Sequence, residues 1–168
     1  MPNYDARSFT GTDLGKVSGT VTSLPAGYVL GEERWENAAK YRLMFNAGGA
    51  SITQGFAAAP IMSAGPYSLT VTTTSKTFDH IGAGFALNAT VPTAAFFWGA
   101  VRFRGAVVGD ASSVPTGSFF YIASDGKVEL TVQSVMTGNQ IIGVNLGGAA
   151  SKTITTGVLS GDAYVTLE

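Results

Sequence analysis

The 168-residue sequence contains no cysteine and a single histidine, and charged residues make up only 12% of it. The absence of cysteine excludes a disulfide scaffold, a thiolate metal site and a thiol nucleophile. One histidine excludes a histidine cluster as a metal site and makes any Ser-His-Asp triad depend on His80 alone. With a net charge of −1, the chain has no basic footprint, so we expect no direct nucleic-acid binding.

Long hydrophobic runs are also missing. No apolar run reaches ~18 residues, so the sequence predicts no transmembrane helix and no membrane partner. The first residues, MPNYDARSFTGTD, have neither the basic region nor the apolar core of a signal peptide. The mean hydropathy of +0.24 is nevertheless high for a soluble monomer, which indicates that apolar surface is buried between chains.

The chain is rich in the residues that are typical of short strands and tight turns: it has 22 glycines and many Thr, Ser and Val. It predicts an all-β fold, an antiparallel sandwich or barrel (tulip-like) of roughly a dozen short strands. We expect one β domain over residues 17–168, preceded by an extended arm over residues 1–16. In that arm, the candidate anchors on a neighbouring molecule are Tyr4, Arg7 and Phe9.

The most apolar stretch, Ile81–Gly109, predicts two strands, Gly82–Asn88 and Ala94–Gly105. A strand that is apolar on both faces must be covered on both. Trp98 is therefore predicted to pack in the core and against a subunit. Arg102 and Arg104, two residues apart on one strand face, are predicted to contact a partner because Arg is enriched at interface cores.

Two hairpins and one helical turn are predicted elsewhere. Lys40–Phe45 and Ser51–Ala57 form the first hairpin, and Gly31–Ala39, which holds the candidate contact Trp35, forms a single helical turn. The dipeptide Asp125-Gly126 predicts a second hairpin with a two-residue loop.

That loop fixes the expected register of the second hairpin. It places Tyr121 opposite Leu130 on an apolar face and Ile122 opposite Glu129 on the other. The second face, which also carries Phe120, is half apolar, and we therefore predict that Phe120 and Ile122 contact a subunit.

The sequence has few titratable side chains that could act together in catalysis. Among the acids only Glu32, Glu33 and Glu36 cluster in sequence, although a carboxylate pair for glycoside hydrolysis need not be close in sequence. We expect no enzyme, no cofactor and no metal site. Gly55, Gly84 and Gly143 lie inside three similar segments, where glycine marks a bulge or a close approach of two backbones. The alternative is that a glycine-rich β protein produces such similar segments by chance.

Four segments together resemble the small β-rich capsid decoration (cement) proteins of tailed bacteriophages. They are a Gly-apolar-Ala-Leu strand, a Val-Pro-x-Gly-x-apolar entry, a Gly-Lys-Val hairpin and a closing Ile-Gly-Val strand, at Gly84–Leu87, Val114–Phe119, Gly126–Val128 and Ile142–Val144. The resemblance covers chiefly Ile81–Gly147.

The resemblance implies a homotrimer that binds the major capsid protein at local three-fold positions outside the head, assembled in the host cytoplasm. It implies neither catalysis nor a cofactor, and it transfers no fixed functional residues. The alternatives are another head-fibre or tail component, a carbohydrate-binding β-sandwich that stacks sugars on Trp35 or Trp98, and a β-fold hydrolase.

Overall fold

The structure is a computed structural model. It describes residues 18–24, 27–36, 38–60, 68–70, 84–109, 116–122, 126–130, 143–146 and 159–167. These residues contain strands and turns and no helix, so the expected all-β class is confirmed. In the described part of the chain there is accordingly no helix long and apolar enough to cross a membrane.

Within the described residues, eleven strands join in one sheet. In chain order they are β1 Ser18–Val21, β2 Glu33–Glu36, β3 Ala39–Asn46, β4 Ala57–Pro60, β5 Ser68–Thr70, β6 Gly84–Phe85, β7 Phe96–Val108, β8 Phe119–Ile122, β9 Val128–Leu130, β10 Gly143–Asn145 and β11 Leu159–Thr166. Every strand pair is antiparallel except β3 with β5.

The 13-residue strand β7 is the centre of this sheet. It pairs with β1, β3, β6 and β11. The expected strand Ala94–Gly105 is therefore present, but it begins at Phe96 and ends three residues later, at Val108. In the described part of its expected neighbour Gly82–Asn88, Gly84–Phe85 is strand. Residues Phe97–Val101 are all buried, which confirms that both faces of this half of the strand are covered.

The pairings close into two circuits that share β7. The first runs β7–β3–β5–β4–β6 and returns to β7 through Phe85 opposite Ala100. The second runs β7–β11–β10–β8–β9 and returns through a bridge between Val128 and Gly109. Closed circuits leave few unpaired strand edges, the usual liability of a sheet.

The main core lies inside these circuits. In the second circuit one inward row crosses four neighbouring strands: Phe103, Val165, Gly143 and Phe120. Phe103 stacks edge-on against Phe85 of the first circuit, with 5.4 Å between ring centroids. Buried aromatic pairs of this geometry contribute beyond their buried area.

Two of the three glycines confirm the expected close approaches, whereas Gly55 lies in a turn with a φ of 84° rather than inside a strand. A side chain on Gly84 would lie 2.6 Å from the sulfur of Met44. A side chain on Gly143 would lie 2.6 Å from Cζ of Phe120 and against the carbonyl oxygen of Tyr164. At Gly84 the flexible end of Met44 would have to shift, whereas at Gly143 one obstacle is backbone and only a residue without Cβ fits.

The expected helical turn at Gly31–Ala39 is wrong. Glu33–Glu36 is strand β2, paired antiparallel with β3. The glutamates suggest a helix when they are considered alone, but Glu33 lies opposite Arg42 and bonds to it across the two strands. Cross-strand pairing therefore overrides the local preference.

The first expected hairpin is also wrong. Strand β3 is present as expected, but β4 pairs with β5 and β6 rather than with β3. The edges of β3 are already taken, because β7 pairs along one edge and β2 and β5 pair with the two ends of the other. Within the expected second strand of this hairpin, Ile52 forms a bridge with Val91.

The second hairpin exists, but its expected register is wrong by one residue. Ile122 lies opposite Val128 and Tyr121 opposite Glu129. These pairs have positions that sum to 250, whereas the expected two-residue loop requires 251. Gly126 has a φ of 86°, the left-handed conformation that glycine adopts readily in turns. A slip of one residue moves every side chain to the other face, so Phe120 and Ile122 are buried in the core.

Candidate contact face

An outward row of side chains crosses the same four strands that carry the inward row. Phe119 on β8 lies opposite Val144 on β10, Val144 opposite Tyr164 on β11, and Tyr164 opposite Arg104 on β7. Directly opposed residues project to one side of a sheet. The alternation that buries Phe120 therefore exposes Phe119.

A second row continues this side onto β3 and β2. Arg102 lies two residues from Arg104 on β7, opposite Lys40, and Lys40 lies opposite Trp35. The register of β3 against β7 shifts between Lys40 and Tyr41. Such an irregularity re-aims side chains, and here it brings the cationic end of β3 beside exposed Arg102.

We call this surface the arginine–aromatic face. It extends over β2, β3, β7, β11, β10 and β8. Its members are Trp35, Lys40, Arg102, Arg104, Phe119, Val144 and Tyr164.

Arg102 is held in place by two aromatic side chains of the face. Its Nε donates a hydrogen bond of 2.9 Å to the hydroxyl oxygen of Tyr164. Its guanidinium carbon lies 5.8 Å from the centre of the Trp35 ring, within the range of a cation–π contact. The face therefore presents an oriented guanidinium beside exposed aromatic surface.

Glu33 forms an ion cluster at the β2 end of the face. Its carboxylate lies 3.0 Å from Nζ of Lys40 and 2.6 Å from Nη2 of Arg42. Burial of the carboxyl raises the pKa of Glu33, but the hydrogen bonds and positive charges of Arg42 and Lys40 outweigh it, so the pKa lies below its usual 4.5. This end of the face is consequently fixed by charge pairing.

The face also exposes large apolar groups. Trp35 is 48% exposed and Phe119 is 54% exposed. Leu146, next to the end of β10, is 41% exposed. Exposed aromatic side chains near arginine are the composition that marks protein contact surfaces.

Trp98 does not belong to this face. It is 3% exposed and packs with Leu43 in a second, smaller cluster. The Arg34 guanidinium lies 5.1 Å from the Trp98 ring centre and 5.0 Å from that of Tyr28. The Trp98 Nε1 hydrogen is buried without a hydrogen-bond partner among the described residues.

Of the residues predicted from sequence to make contacts, the structure brings together Trp35, Arg102 and Arg104 on one face. It places Trp98, Phe120 and Ile122 in the interior, which corrects the expectation that they are available to a partner. Tyr4, Arg7 and Phe9 lie outside the described residues.

Sequence reasoning missed Tyr164 and Phe119. The alternation of Ala163, Val165 and Leu167 in the last strand places Tyr164 on the opposite, outward side. No local signal shows that β11 lies beside β7, since Tyr164 and Arg104 are far apart in the chain. Phe119 was missed because the hairpin register was wrong.

The described residues contain no group of three or more His, Asp or Glu side chains that could hold a metal ion. His80 lies outside the described residues. Comparisons with protein-family models, with curated proteins and with solved structures found no match for this chain.

Proposed function

We propose that this chain is a structural virion protein, a capsid decoration protein that attaches to the outside of a major capsid shell and stabilises it. The observation that carries the proposal is the arginine–aromatic face, a surface extending over six strands of a sheet whose other side is the core. Such a face suits attachment to a large, flat protein lattice. The sequence resemblance to phage decoration proteins supports the same function.

The scaffold behind the face supports attachment under load. Strand β7 carries Arg102 and Arg104 on its outward side and buried Phe103 between them. Because β7 belongs to both closed circuits, a pull on either arginine is distributed over its hydrogen bonds to several strands. Contact residues on rigid strands keep their geometry better than residues on loops.

The proposal includes a homotrimer at local three-fold positions of the shell, as the resemblance implies. The chain's low charge content, 12%, and its exposed Trp35 and Phe119 support burial of surface between molecules. In this proposal the protein has no catalytic role, and its location is the capsid exterior.

The test is co-sedimentation of the purified protein with expanded head shells assembled from the major capsid protein encoded in the same genome. We expect saturable binding, and a sedimentation mass three times the chain mass of 17.3 kDa. Arg102→Glu should weaken binding, whereas Lys127→Glu, a matched charge reversal at a residue that packs over Phe56, should not. A monomer at micromolar concentration that does not bind shells would contradict the proposal.

Exposed Trp35 favours a second candidate, a carbohydrate-binding module. An exposed indole flanked by Arg102 is a stacking platform for a sugar ring, whereas buried Trp98 is not. A glycan-array signal lost in Trp35→Ala, together with absent shell binding, would favour this second function over the first.

A further inference from the structure

Arg102 differs from two other arginines of the described chain in what balances its charge. Arg34 bonds to the Glu32 carboxylate through Nε at 2.9 Å, and Arg42 bonds to Glu33 through Nε at 3.0 Å. Arg102 instead donates its Nε hydrogen to a neutral phenol oxygen. Among the described residues it has no carboxylate partner.

The described residues around Arg102 hold it in place and contribute no carboxylate to it. Tyr164 fixes the Nε side at 2.9 Å and the Trp35 ring lies 5.8 Å from the guanidinium carbon. The neighbours across the strands are Thr166 and Lys40, and the Lys40 ammonium is already paired with Glu33 at 3.0 Å. An arginine has five N–H donors in a rigid fork, so four remain on its two terminal nitrogens after the bond to Tyr164.

We propose that Arg102 is the anion-binding centre of the arginine–aromatic face and that its ligand is a carboxylate on the surface of the partner protein. This inference rests on the proposed attachment function and names the chemistry of the surface to which the chain attaches. A planar guanidinium matches a carboxylate through two parallel hydrogen bonds. Charge complementarity therefore selects an acidic strip on the partner.

The exposed apolar side chains of the arginine–aromatic face favour a protein as the source of that carboxylate. Trp35, Phe119 and Leu146 are large exposed apolar side chains on or beside this face. A protein surface can bury such groups while one of its carboxylates pairs with Arg102, whereas a heavily sulfated glycan leaves them exposed to solvent. Covering them also removes water from the ion pair and strengthens it.

Tyr164 is a positioning residue in this arrangement, because it acts on the partner through Arg102. Its hydroxyl orients the guanidinium and, in this proposal, does not contact the ligand itself. Removing the hydroxyl should therefore matter only while Arg102 is present. A double-mutant cycle measures that dependence directly.

The experiment uses the full-length protein and two readouts: co-sedimentation with head shells, and fluorescence anisotropy of a fluorescein-labelled octaglutamate peptide at low salt. Arg102→Gln should weaken both by about tenfold, as loss of a partly desolvated charge pair does. Arg102→Lys should restore only part of the affinity, since a lysine has no fork. Lys127→Gln, which removes the same charge beside Phe56, should change neither.

Tyr164→Phe should weaken peptide binding by about threefold in the parent and leave Arg102→Gln unchanged. Thermal unfolding of every variant should match the parent, which excludes misfolding as the cause.

Shell binding that is equal in the parent and in Arg102→Gln would overturn the inference and leave the attachment function standing. Absent shell binding by the parent would overturn the attachment function, and the peptide readout would still decide the inference. Equal weakening by Arg102→Gln and Lys127→Gln would show unspecific charge attraction and overturn it. The inference would also be overturned if a heparin octasaccharide bound more tightly than the peptide and with the same dependence on Arg102, because the ligand of the face would then be a glycan.

Discussion

Gly143→Ala tests the packing on which both sides of the sheet depend. The added methyl group would lie 2.6 Å from Cζ and 2.8 Å from Cε2 of Phe120, and against the carbonyl oxygen of Tyr164. The Phe120 ring is fully buried, and the carbonyl belongs to the paired strand β11. Neither neighbour has open space to move into, so overpacking of this kind should lower the free energy of unfolding by about 1–3 kcal/mol.

A matched control is Gly49→Ala. Gly49 lies in the exposed turn after β3, its φ is not positive, and an added methyl group meets nothing within 4 Å. Alanine restricts the unfolded chain, so this variant should be about 0.4–1 kcal/mol more stable than the parent. The two variants carry the same chemical change and differ only in the surroundings of the new methyl group.

The assay is urea unfolding followed by tryptophan fluorescence, with a thermal scan beside it. For a chain of this size, about 1 kcal/mol corresponds to about 2–4 °C in Tm, so Gly143→Ala should melt well below Gly49→Ala. The double variant Gly143→Ala, Phe120→Leu should recover part of the loss if the ring is the main obstacle. Equal stability of the two alanine variants would refute the packing argument at β10.

Three further predictions concern stability and ionisation. Trp98→Ala should lower the free energy of unfolding by about 3–5 kcal/mol, as loss of a buried aromatic does, whereas Trp35→Ala should lower it by less than about 1 kcal/mol. Urea unfolding of both variants measures the difference. Similar losses would contradict the placement of Trp98 in the interior and of Trp35 on the surface. Glu33→Gln should cost less than about 1 kcal/mol at pH 7, because the carboxylate is partly exposed. Since the folded pKa of Glu33 is lowered, its contribution is present above the unfolded pKa and lost as pH falls through the folded value, so the stabilities of parent and variant should converge at acid pH; a gap that persists there would contradict the ion cluster. Burial raises the pKa of Tyr41 above 10.0, with a smaller effect from Glu36, so an ultraviolet titration of the parent should contain a late-ionising phenol that is missing from Tyr41→Phe. Identical late steps in the two titrations would contradict the burial of Tyr41.

The all-β class and the central strand were predictable because they depend on local composition. A run such as Phe96–Val101 is apolar on both faces, and only a strand covered on both sides satisfies it. The same reasoning failed for Glu33–Glu36, where three of four residues are charged. Their conformation is decided by Lys40 and Arg42 on another strand, which the local sequence does not show.

Only part of the contact face could be predicted from the sequence, because its other members depend on which strands are neighbours. Trp35, Arg102 and Arg104 stand out by residue type alone. Tyr164 acquires its role only because β11 lies beside β7, and strand order is a property of the whole chain. Strand neighbours far apart in sequence are set by the closure of the two circuits, which no local pattern encodes.

The register error at the second hairpin shows how closely the core and the contact face depend on each other. Along β8, β10, β11 and β7 the inward row and the outward row differ by one residue at every strand: Phe120 and Phe119, Gly143 and Val144, Val165 and Tyr164, Phe103 and Arg104. A slip of one strand would bring its outward residue into the core and its core residue onto the face. On β10 that slip would bring Val144 to the inward position that only a glycine fits beneath Phe120. The close contact at Gly143 therefore fixes the register of β10, and through β11 it places Tyr164 where it can orient Arg102.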